Sequence, residues 1–213
     1  MLNYHFEKQE AAVQHGKLFI LAAPSGGGKT SLAQALIEGS PAIVRSVSHT
    51  TRAPRPGERD GVDYFFVPPA DFERMAATGE FLEHATVFGN RYGTARHAVE
   101  AQLAAGKNVL LTIDWQGARR IKQQLPQARG IFLLPPSRAA LEARLRARGQ
   151  DNDDTIAVRM RQAQSEMSHY GEFDVLVVND DFAAALEDLK AVILGNGAPK
   201  RPMNVDIAWL LGG

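Results

Sequence analysis

Three consecutive glycines followed by a lysine constrain the fold of this chain more than any other feature. In the stretch FILAAPSGGGKTSLAQALIEG, residues 19–39, an apolar run precedes the glycines and a segment of helical period follows them. The pattern predicts a buried strand, a tight turn and a helix, in that order. Because the first N–H groups of a helix have no partner within it, such a turn predicts a site for a phosphate group.

The turn meets the phosphate-loop pattern G-x-x-x-x-G-K-[ST], with an alanine in place of the first glycine. The predicted loop that binds the nucleotide phosphates consists of Ala23, Pro24, Ser25, Gly26, Gly27, Gly28, Lys29 and Thr30. We expect Lys29 to reach the β- and γ-phosphates and the Thr30 hydroxyl to bind Mg²⁺ directly. The alternative is a flexible turn with a chance lysine, but the predicted strand and helix on either side argue against it.

The charge balance of the chain excludes a large basic or acidic surface as its means of binding. Its 213 residues contain 24 Lys and Arg against 24 Asp and Glu. We therefore expect no nucleic-acid or membrane partner, and a local pocket for any anionic ligand. The absence of cysteine excludes disulfides and zinc–thiolate sites. No apolar run approaches the roughly 20 residues of a membrane span, and we expect a cytoplasmic protein.

Short apolar runs alternate with segments of helical period along most of the chain. The pairs are KLFILAA with TSLAQALIEG, NVLLTID with GARRIKQQL, GIFLLPP with RAALEARLRARG, and DVLVVND with FAAALEDLKAVIL. Runs that are apolar throughout are typical of central strands covered by helices on both faces. The series predicts a three-layer α/β fold with a parallel central sheet. Residues 51–94 break the rhythm and predict an inserted subdomain with one short helix at about residues 69–77.

The remaining boundaries follow from these patterns. Residues 1–15 are polar and predict a leader, and residues 16–195 predict the main domain, with its core in 16–50 and 95–195. The tail, residues 196–213, opens with Gly and Pro and ends in a small apolar patch that could dock against the domain.

A phosphate loop alone leaves motors, GTPases, kinases and transporter ATPases open. The stretches SVSHTTRAPRPGERDGVDYFF and GEFLEHATVFGNRYGT resemble the nucleotide-binding region of guanylate kinases. The motifs APSGGGKT, IDWQG, RARGQD and VVNDDF occur in that family's order. The resemblance covers about residues 16–195 and is to the bacterial type. It implies the P-loop NTPase fold with an inserted GMP-binding subdomain and a helical lid.

The resemblance also implies a set of residues that bind GMP. These are Ser48, Arg52, Arg55, Glu58, Tyr64, Glu83, Tyr92 and Thr94. Arg52 and Arg55 suit a phosphate dianion, because guanidinium groups bind phosphate oxygens in pairs. Glu83 would accept hydrogen bonds from N1–H and N2–H₂ of guanine, a donor pair that adenine lacks on that edge. Taken singly, the arginines could instead belong to a solvated loop and the tyrosines to a small core.

A second set of arginines lies in LEARLRARGQDNDDTIAVRMRQAQSEM, residues 141–167. By resemblance Arg148 and Arg159 are the catalytic arginines of a lid at about residues 144–160, with Arg144 a weaker candidate. A closing lid would stabilise the charge on the transferred phosphoryl group and exclude water. The alternative is that these arginines form the solvated faces of two helices, which we prefer for Arg146 and Arg161.

Two further polar residues end predicted strands. Asp114 ends NVLLTID, where an acid would organise Mg²⁺ and its waters or reach the bound nucleotide. Asn179 ends DVLVVN beside the phosphate loop and, by resemblance, lies near the adenine of ATP. Thr112 stands where many guanylate kinases have an aspartate, which bears on the metal arrangement.

The resemblance implies transfer of the γ-phosphoryl group of Mg·ATP to GMP, and to dGMP equally as far as the residues indicate. No protein base is needed, since the acceptor phosphate is largely ionised near neutral pH. Two alternatives stay open: a guanylate-kinase-like module that binds phosphopeptides without catalysis, and a related kinase for another phosphorylated acceptor.

Overall fold

Five parallel strands form the central sheet, and their order in the sheet differs from their order in the chain. Across the sheet lie β2 (Ile43–Arg45), β7 (Asn108–Thr112), β1 (Leu18–Ala22), β8 (Arg129–Leu134) and β9 (Val175–Val178). All five residues of β1 are buried, as its unbroken apolar sequence predicts. The structure is a computed structural model that describes residues 15–87, 89–147 and 152–211.

Helices cover both faces of this sheet, which confirms the predicted three-layer α/β fold. Helices α1 (Lys29–Glu38) and α7 (Phe182–Leu194) pack with Phe19 and Leu21 of β1. Helices α3 (Arg96–Ala104) and α4 (Trp115–Gln124) pack with Leu18 and Ile20. Alternate side chains of one strand point to opposite faces, so β1 contributes to both cores.

The region predicted as an insertion folds around a second sheet. Its four strands lie in the order β4 (Phe65–Phe66), β3 (His49–Thr50), β6 (Asn90–Ala95) and β5 (Phe81–Val87). Helix α2 (Pro69–Ala77) has the bounds expected from the sequence, with proline at its first position. Phe72, Met75 and Phe81 form a small separate core under this sheet.

Two helices that are consecutive in the chain lie next to the phosphate loop, one beside Gly26 and the other in contact with Ser25. They are α5 (Arg138–Ala147) and α6 (Asp153–Met167), and Asn152 caps α6 by accepting a hydrogen bond from the Thr155 N–H. A short turn of 3₁₀ helix, Tyr170–Glu172, leads from α6 to β9.

The tail docks on the domain and ends in α8 (Ile207–Leu211). Leu210 is fully buried in a cluster with Ala163 and Met167 of α6, so the apolar end of the tail has a packing partner. In the described part of the chain, no helix has the length and apolar character that a membrane crossing requires.

Candidate functional site

The glycine-rich loop joins the carboxyl end of β1 to the first residue of α1. Gly26 and Gly28 have φ values of 86° and 92°, in the left-handed region that favours glycine. A Cβ atom on Gly28 would lie 2.3 Å from the Asn179 side-chain nitrogen. Both the backbone angle and the lack of space therefore require glycine here.

Lys29 begins α1 and points across the carboxyl edge of the sheet. Its Nζ donates a 3.0 Å hydrogen bond to the Ile113 carbonyl at the end of β7. Burial lowers the pKa of Lys29, and the carboxylates of Asp114 and Glu166 oppose that shift. The ammonium group is thus buried at the end of β7 and feels the negative charges of two nearby acids.

A cleft of about 410 Å³ separates the phosphate loop from the second sheet. It brings together ten of the residues predicted from the sequence, namely Lys29, Thr30, Ser48, Arg52, Arg55, Glu58, Tyr64, Glu83, Tyr92 and Asp114. Arg45, Asp63 and Thr112 also line it. One continuous space therefore runs from the phosphate loop to the second sheet, and it is wide enough for a small organic ligand.

Arg52 is held in place from several sides. Its Nη2 lies 2.7 Å from Glu58 Oε1, with the two side chains 13% and 20% exposed. Its guanidinium group also lies over the Tyr64 ring, 5.3 Å from the centroid. The hydrogen bond with Glu58 raises the pKa of Arg52 and lowers that of Glu58. Glu58 also accepts from the Arg55 N–H at 2.7 Å, so it orders the whole turn that carries both arginines.

Glu83 also lines the cleft and is only 6% exposed. The Thr94 hydroxyl donates a 2.8 Å hydrogen bond to its carboxylate, because β5 and β6 pair in a register that places the two residues opposite each other. Burial raises the pKa of Glu83 to about 7, and the Thr94 hydrogen bond only partly opposes this. This buried acid is poised to accept hydrogen bonds from a ligand that enters the cleft.

Asp114 follows β7 and caps α4. Its Oδ1 accepts a 2.8 Å hydrogen bond from the Gly117 N–H, which fixes the carboxylate at the edge of the sheet, where Thr112 and Thr30 also line the cleft. Among the described residues, no group of three or more His, Cys, Asp or Glu could hold a metal.

Asn179 connects the end of β9 to the phosphate loop. Its side-chain N–H donates a 2.9 Å hydrogen bond to the Gly27 carbonyl. Its backbone carbonyl accepts a 2.7 Å hydrogen bond from the Arg144 guanidinium group. The residue is 4% exposed, and its position beside the phosphate loop is as the sequence indicated. The structure shows it supporting the loop.

The structure describes one of the two predicted lid arginines, Arg159. Arg148 lies outside the described residues, one residue beyond the end of α5. Arg159 lies on α6 and is partly buried, and it is not among the described residues that line the cleft.

Glu166 is a site residue that sequence reasoning missed. It lies on α6, and its Oε2 accepts a 2.8 Å hydrogen bond from the Ser25 N–H of the phosphate loop. Burial raises the pKa of Glu166, and the Ser25 hydrogen bond and the Lys29 charge oppose that shift. The sequence did carry one signal for Glu166, which is its spacing from Arg159. The two residues are seven positions apart, or about two helical turns, so they lie on the same face of α6.

Comparison with known proteins identifies the family. The family model described as guanylate kinase matches residues 15–195. The chain belongs to the guanylate kinase family. Curated guanylate kinases from Pseudomonas syringae pv. tomato and Escherichia coli strain K12 are 57% and 58% identical to it, over 189 and 180 residues. These alignments cover 85% and 84% of this chain, and 88% and 87% of the relatives.

A solved structure agrees with this guanylate kinase assignment. The crystal structure of guanylate kinase from Anaplasma phagocytophilum aligns with a TM-score of 0.71 and 36% sequence identity. The alignment covers 85% of this chain and 86% of that one. The resemblance predicted from the sequence motifs and the predicted P-loop fold are therefore both confirmed.

Proposed function

We propose that the chain transfers the γ-phosphoryl group of ATP to the phosphate of GMP, giving ADP and GDP. The observation that carries this proposal is the cleft that joins Lys29, in the phosphate loop, to Arg52, in the loop after β3, and to Glu83 of β5. Such a cleft can hold a donor triphosphate at one end and a guanine nucleotide monophosphate at the other. Membership of the guanylate kinase family supports the same reaction.

The acceptor phosphate is bound in this proposal by Arg52 and Arg55, together with the hydroxyls of Tyr64 and Tyr92. The rings of Tyr64 and Tyr92 pack edge to face with their centroids 5.9 Å apart, and both residues line the cleft. Glu58 holds Arg52 and is a positioning group for it. Charge-assisted hydrogen bonds from two guanidinium groups match the two negative charges of the acceptor phosphate.

Base selection is assigned to Glu83, which lines the same cleft. The Glu83 carboxylate accepts from N1–H and N2–H₂ of guanine, with Thr94 orienting it and Ser48 reaching the base edge. An adenine base would leave the buried carboxylate underpaired, which costs binding free energy. This part of the proposal explains why an acid whose burial raises its pKa is retained in the cleft.

The donor phosphates lie in the loop formed by residues 23–30, where Lys29 and the N–H groups at the start of α1 meet them. The Thr30 hydroxyl and the Asp114 carboxylate are oxygen donors of the kind Mg²⁺ prefers. With so few protein ligands, the ion would arrive bound to the nucleotide. When bound, Mg²⁺ supplies positive charge at the β- and γ-phosphates.

The reaction needs positioning and charge neutralisation more than proton transfer. An oxygen of the GMP phosphate forms a bond to the γ-phosphorus, and the bond from that phosphorus to the bridging oxygen of ADP breaks. Lys29 and the lid arginines Arg148 and Arg159 stabilise the transferred group. We further propose that residues 51–94 and the lid at about residues 144–160 close over the nucleotides and exclude water.

An assay of ADP release with ATP and a panel of acceptors tests this function. The panel is GMP, dGMP, AMP, CMP and UMP, and the variant Lys29→Ala is run beside the natural chain. We expect turnover with GMP, with or without dGMP, and its loss in Lys29→Ala. Binding of GMP without turnover in the natural chain would contradict the proposal and favour the binding-module alternative.

A further inference from the structure

The tail beyond α7 lies outside the residues matched by the guanylate kinase family model, which end at residue 195. Within it, Arg201 reaches back to the junction between β9 and α7. Its guanidinium group donates to Asp188 at 2.8 Å, to Asp180 at 2.9 Å and to the Val178 carbonyl at 3.1 Å. One side chain of the tail thus binds three acceptors, one on β9, one on α7 and one in the turn between them.

Asp188 makes this contact more than a surface ion pair. Its side chain is 3% exposed, and its Oδ1 also accepts from the backbone N–H groups of Lys200 and Arg201, at 2.8 and 3.1 Å. A buried carboxylate of this kind needs its partners, because a buried charge without one is strongly destabilising. Displacing Arg201 from α7 would therefore cost free energy, because it would leave the Asp188 carboxylate with fewer partners.

Asn179 lies directly between two of the residues that Arg201 holds, Val178 and Asp180. As described above, its side chain supports the Gly27 carbonyl of the phosphate loop and its own carbonyl binds Arg144. Its N–H donates to the Leu134 carbonyl at 2.8 Å. A shift of this junction would therefore move a support of the phosphate loop.

The far end of the tail is also anchored. Leu210 of α8 is buried against α6, and the Gln164 side chain of α6 donates to the Leu211 carbonyl. The same helix carries Glu166, which accepts a hydrogen bond from Ser25 of the phosphate loop. The tail thus connects the β9–α7 junction to the helix that stands over the loop.

We propose that Arg201 is a positioning residue for the ATP site, acting through the backbone on both sides of Asn179. It does not touch the substrates. It holds the β9–α7 junction so that the Asn179 amide stays under the phosphate loop. The GMP-binding residues of the second sheet lie on other elements, so the effect of Arg201 is confined to the donor nucleotide. This inference rests on the proposed kinase function for its kinetic readout.

The variant Arg201→Lys tests the proposal, since it keeps a positive charge beside buried Asp188 but cannot donate to three acceptors in the same fork geometry. Lys200→Ala is the matched control, because it removes the neighbouring tail charge, whose partner is Glu187, and keeps the backbone N–H that donates to Asp188. The measurements are kcat, KM for ATP and KM for GMP, with the melting temperature as a check on folding.

We expect Arg201→Lys to raise the KM for ATP by about fivefold, the effect of losing roughly one hydrogen bond. The KM for GMP stays unchanged, and Lys200→Ala matches the natural chain in both constants. If Arg201 had a purely structural role, the variant would raise the KM for ATP and the KM for GMP in parallel, or would lower only the melting temperature. An unchanged KM for ATP, or an equal rise in the KM for GMP, overturns the inference.

Two further measurements keep the test decisive. Asp180→Asn weakens the contact of Arg201 with the same junction and leaves Asp188 unchanged. We expect a smaller rise in the KM for ATP in this variant. If Arg201→Lys does not fold, the KM for ATP of Asp180→Asn tests the proposal in its place. Binding of a non-hydrolysable ATP analogue, measured by calorimetry, reads the ATP site without any acceptor. It shows weaker binding in Arg201→Lys even if GMP is not the acceptor, so failure of the inference is distinguishable from failure of the proposed function.

Discussion

The Thr94 hydroxyl donates a 2.8 Å hydrogen bond to the buried Glu83 carboxylate. Thr94 leaves the rest of that carboxylate available to the cleft, which Glu83 lines. Since burial dominates over this single hydrogen bond, the pKa of Glu83 rises to about 7. The proposed base selector therefore titrates near neutral pH in the nucleotide-free protein, and two predictions concern its proton.

GMP binding is expected to weaken as the pH falls below 7. The proposed contact with guanine requires ionised Glu83, and below its pKa of about 7 the carboxyl is protonated in the free protein. The KM for GMP, measured between about pH 5.5 and 8.5, should therefore rise towards acid. In Glu83→Gln the remaining pH dependence comes from the substrate phosphate, with a second pKa of about 6. Identical pH profiles for the two proteins would contradict this prediction.

The same proton affects the stability of the free protein. The folded-state pKa of Glu83, about 7, lies above its ordinary value of 4.5. The folded state therefore binds more protons, and stability decreases as the pH rises from about 4.5 through 7. Glu83→Gln lacks this titration. We therefore expect its free energy of unfolding, relative to that of the natural chain, to increase by about 3 kcal/mol as the pH is raised from 4.5 to 8, from a pKa shift of this size. Urea unfolding at both pH values measures this, with Glu80→Gln as a control; a gain that does not depend on pH would oppose it.

Arg52 is expected to matter for GMP and not for ATP. Its side chain is largely buried against Glu58 and lines the cleft. Arg52→Ala should raise the KM for GMP by roughly 10- to 100-fold, the range for a lost charge-assisted hydrogen bond. Arg74→Ala, an exposed arginine of the same subdomain, is the control and should change neither KM. A rise in the KM for ATP equal to that for GMP would argue against this assignment.

Glu166 places a negative charge beside the site proposed for the donor phosphates. Glu166→Gln keeps an oxygen for the Ser25 N–H but removes that charge, so ATP should bind a few-fold more tightly. Glu142→Gln on α5, whose partner is the exposed Arg146, serves as the control. Calorimetry with a non-hydrolysable ATP analogue measures the difference. Weaker binding in Glu166→Gln would mean that the charge itself supports the loop.

Local sequence patterns predicted much of the fold because the responsible interactions are local. The unbroken apolar run of β1 signals a central strand, and the glycines before Lys29 signal a tight turn into a helix. Helix α2 has the bounds predicted from the sequence, and it begins at a proline and buries Phe72 and Met75. The residues of the site were predicted from motif order and family resemblance, and ten of them line the cleft.

Contacts between distant segments could not be predicted in this way. Ser25 and Glu166 are 141 positions apart; the spacing of Glu166 from Arg159 indicates which face of α6 it lies on, but no local pattern indicates that it pairs with Ser25. Arg201 lies in a tail whose composition predicts only a turn and an apolar end, and its pairing with buried Asp188 depends on how the tail returns to α7. Such contacts are set by tertiary packing, which local periodicity does not encode.

The most direct test of the account is the ratio of kcat/KM for GMP to that for AMP, measured in the natural chain and in Glu83→Gln. Glu80→Gln, an acid close in sequence whose Oε1 pairs with Arg74 and Thr78, is the matched control. We expect a strong preference for GMP in the natural chain and the control. In Glu83→Gln this preference should fall by at least about tenfold, the effect of losing a charged hydrogen-bond acceptor. A preference for GMP that survives intact in Glu83→Gln would contradict the central claim that this buried carboxylate selects the base.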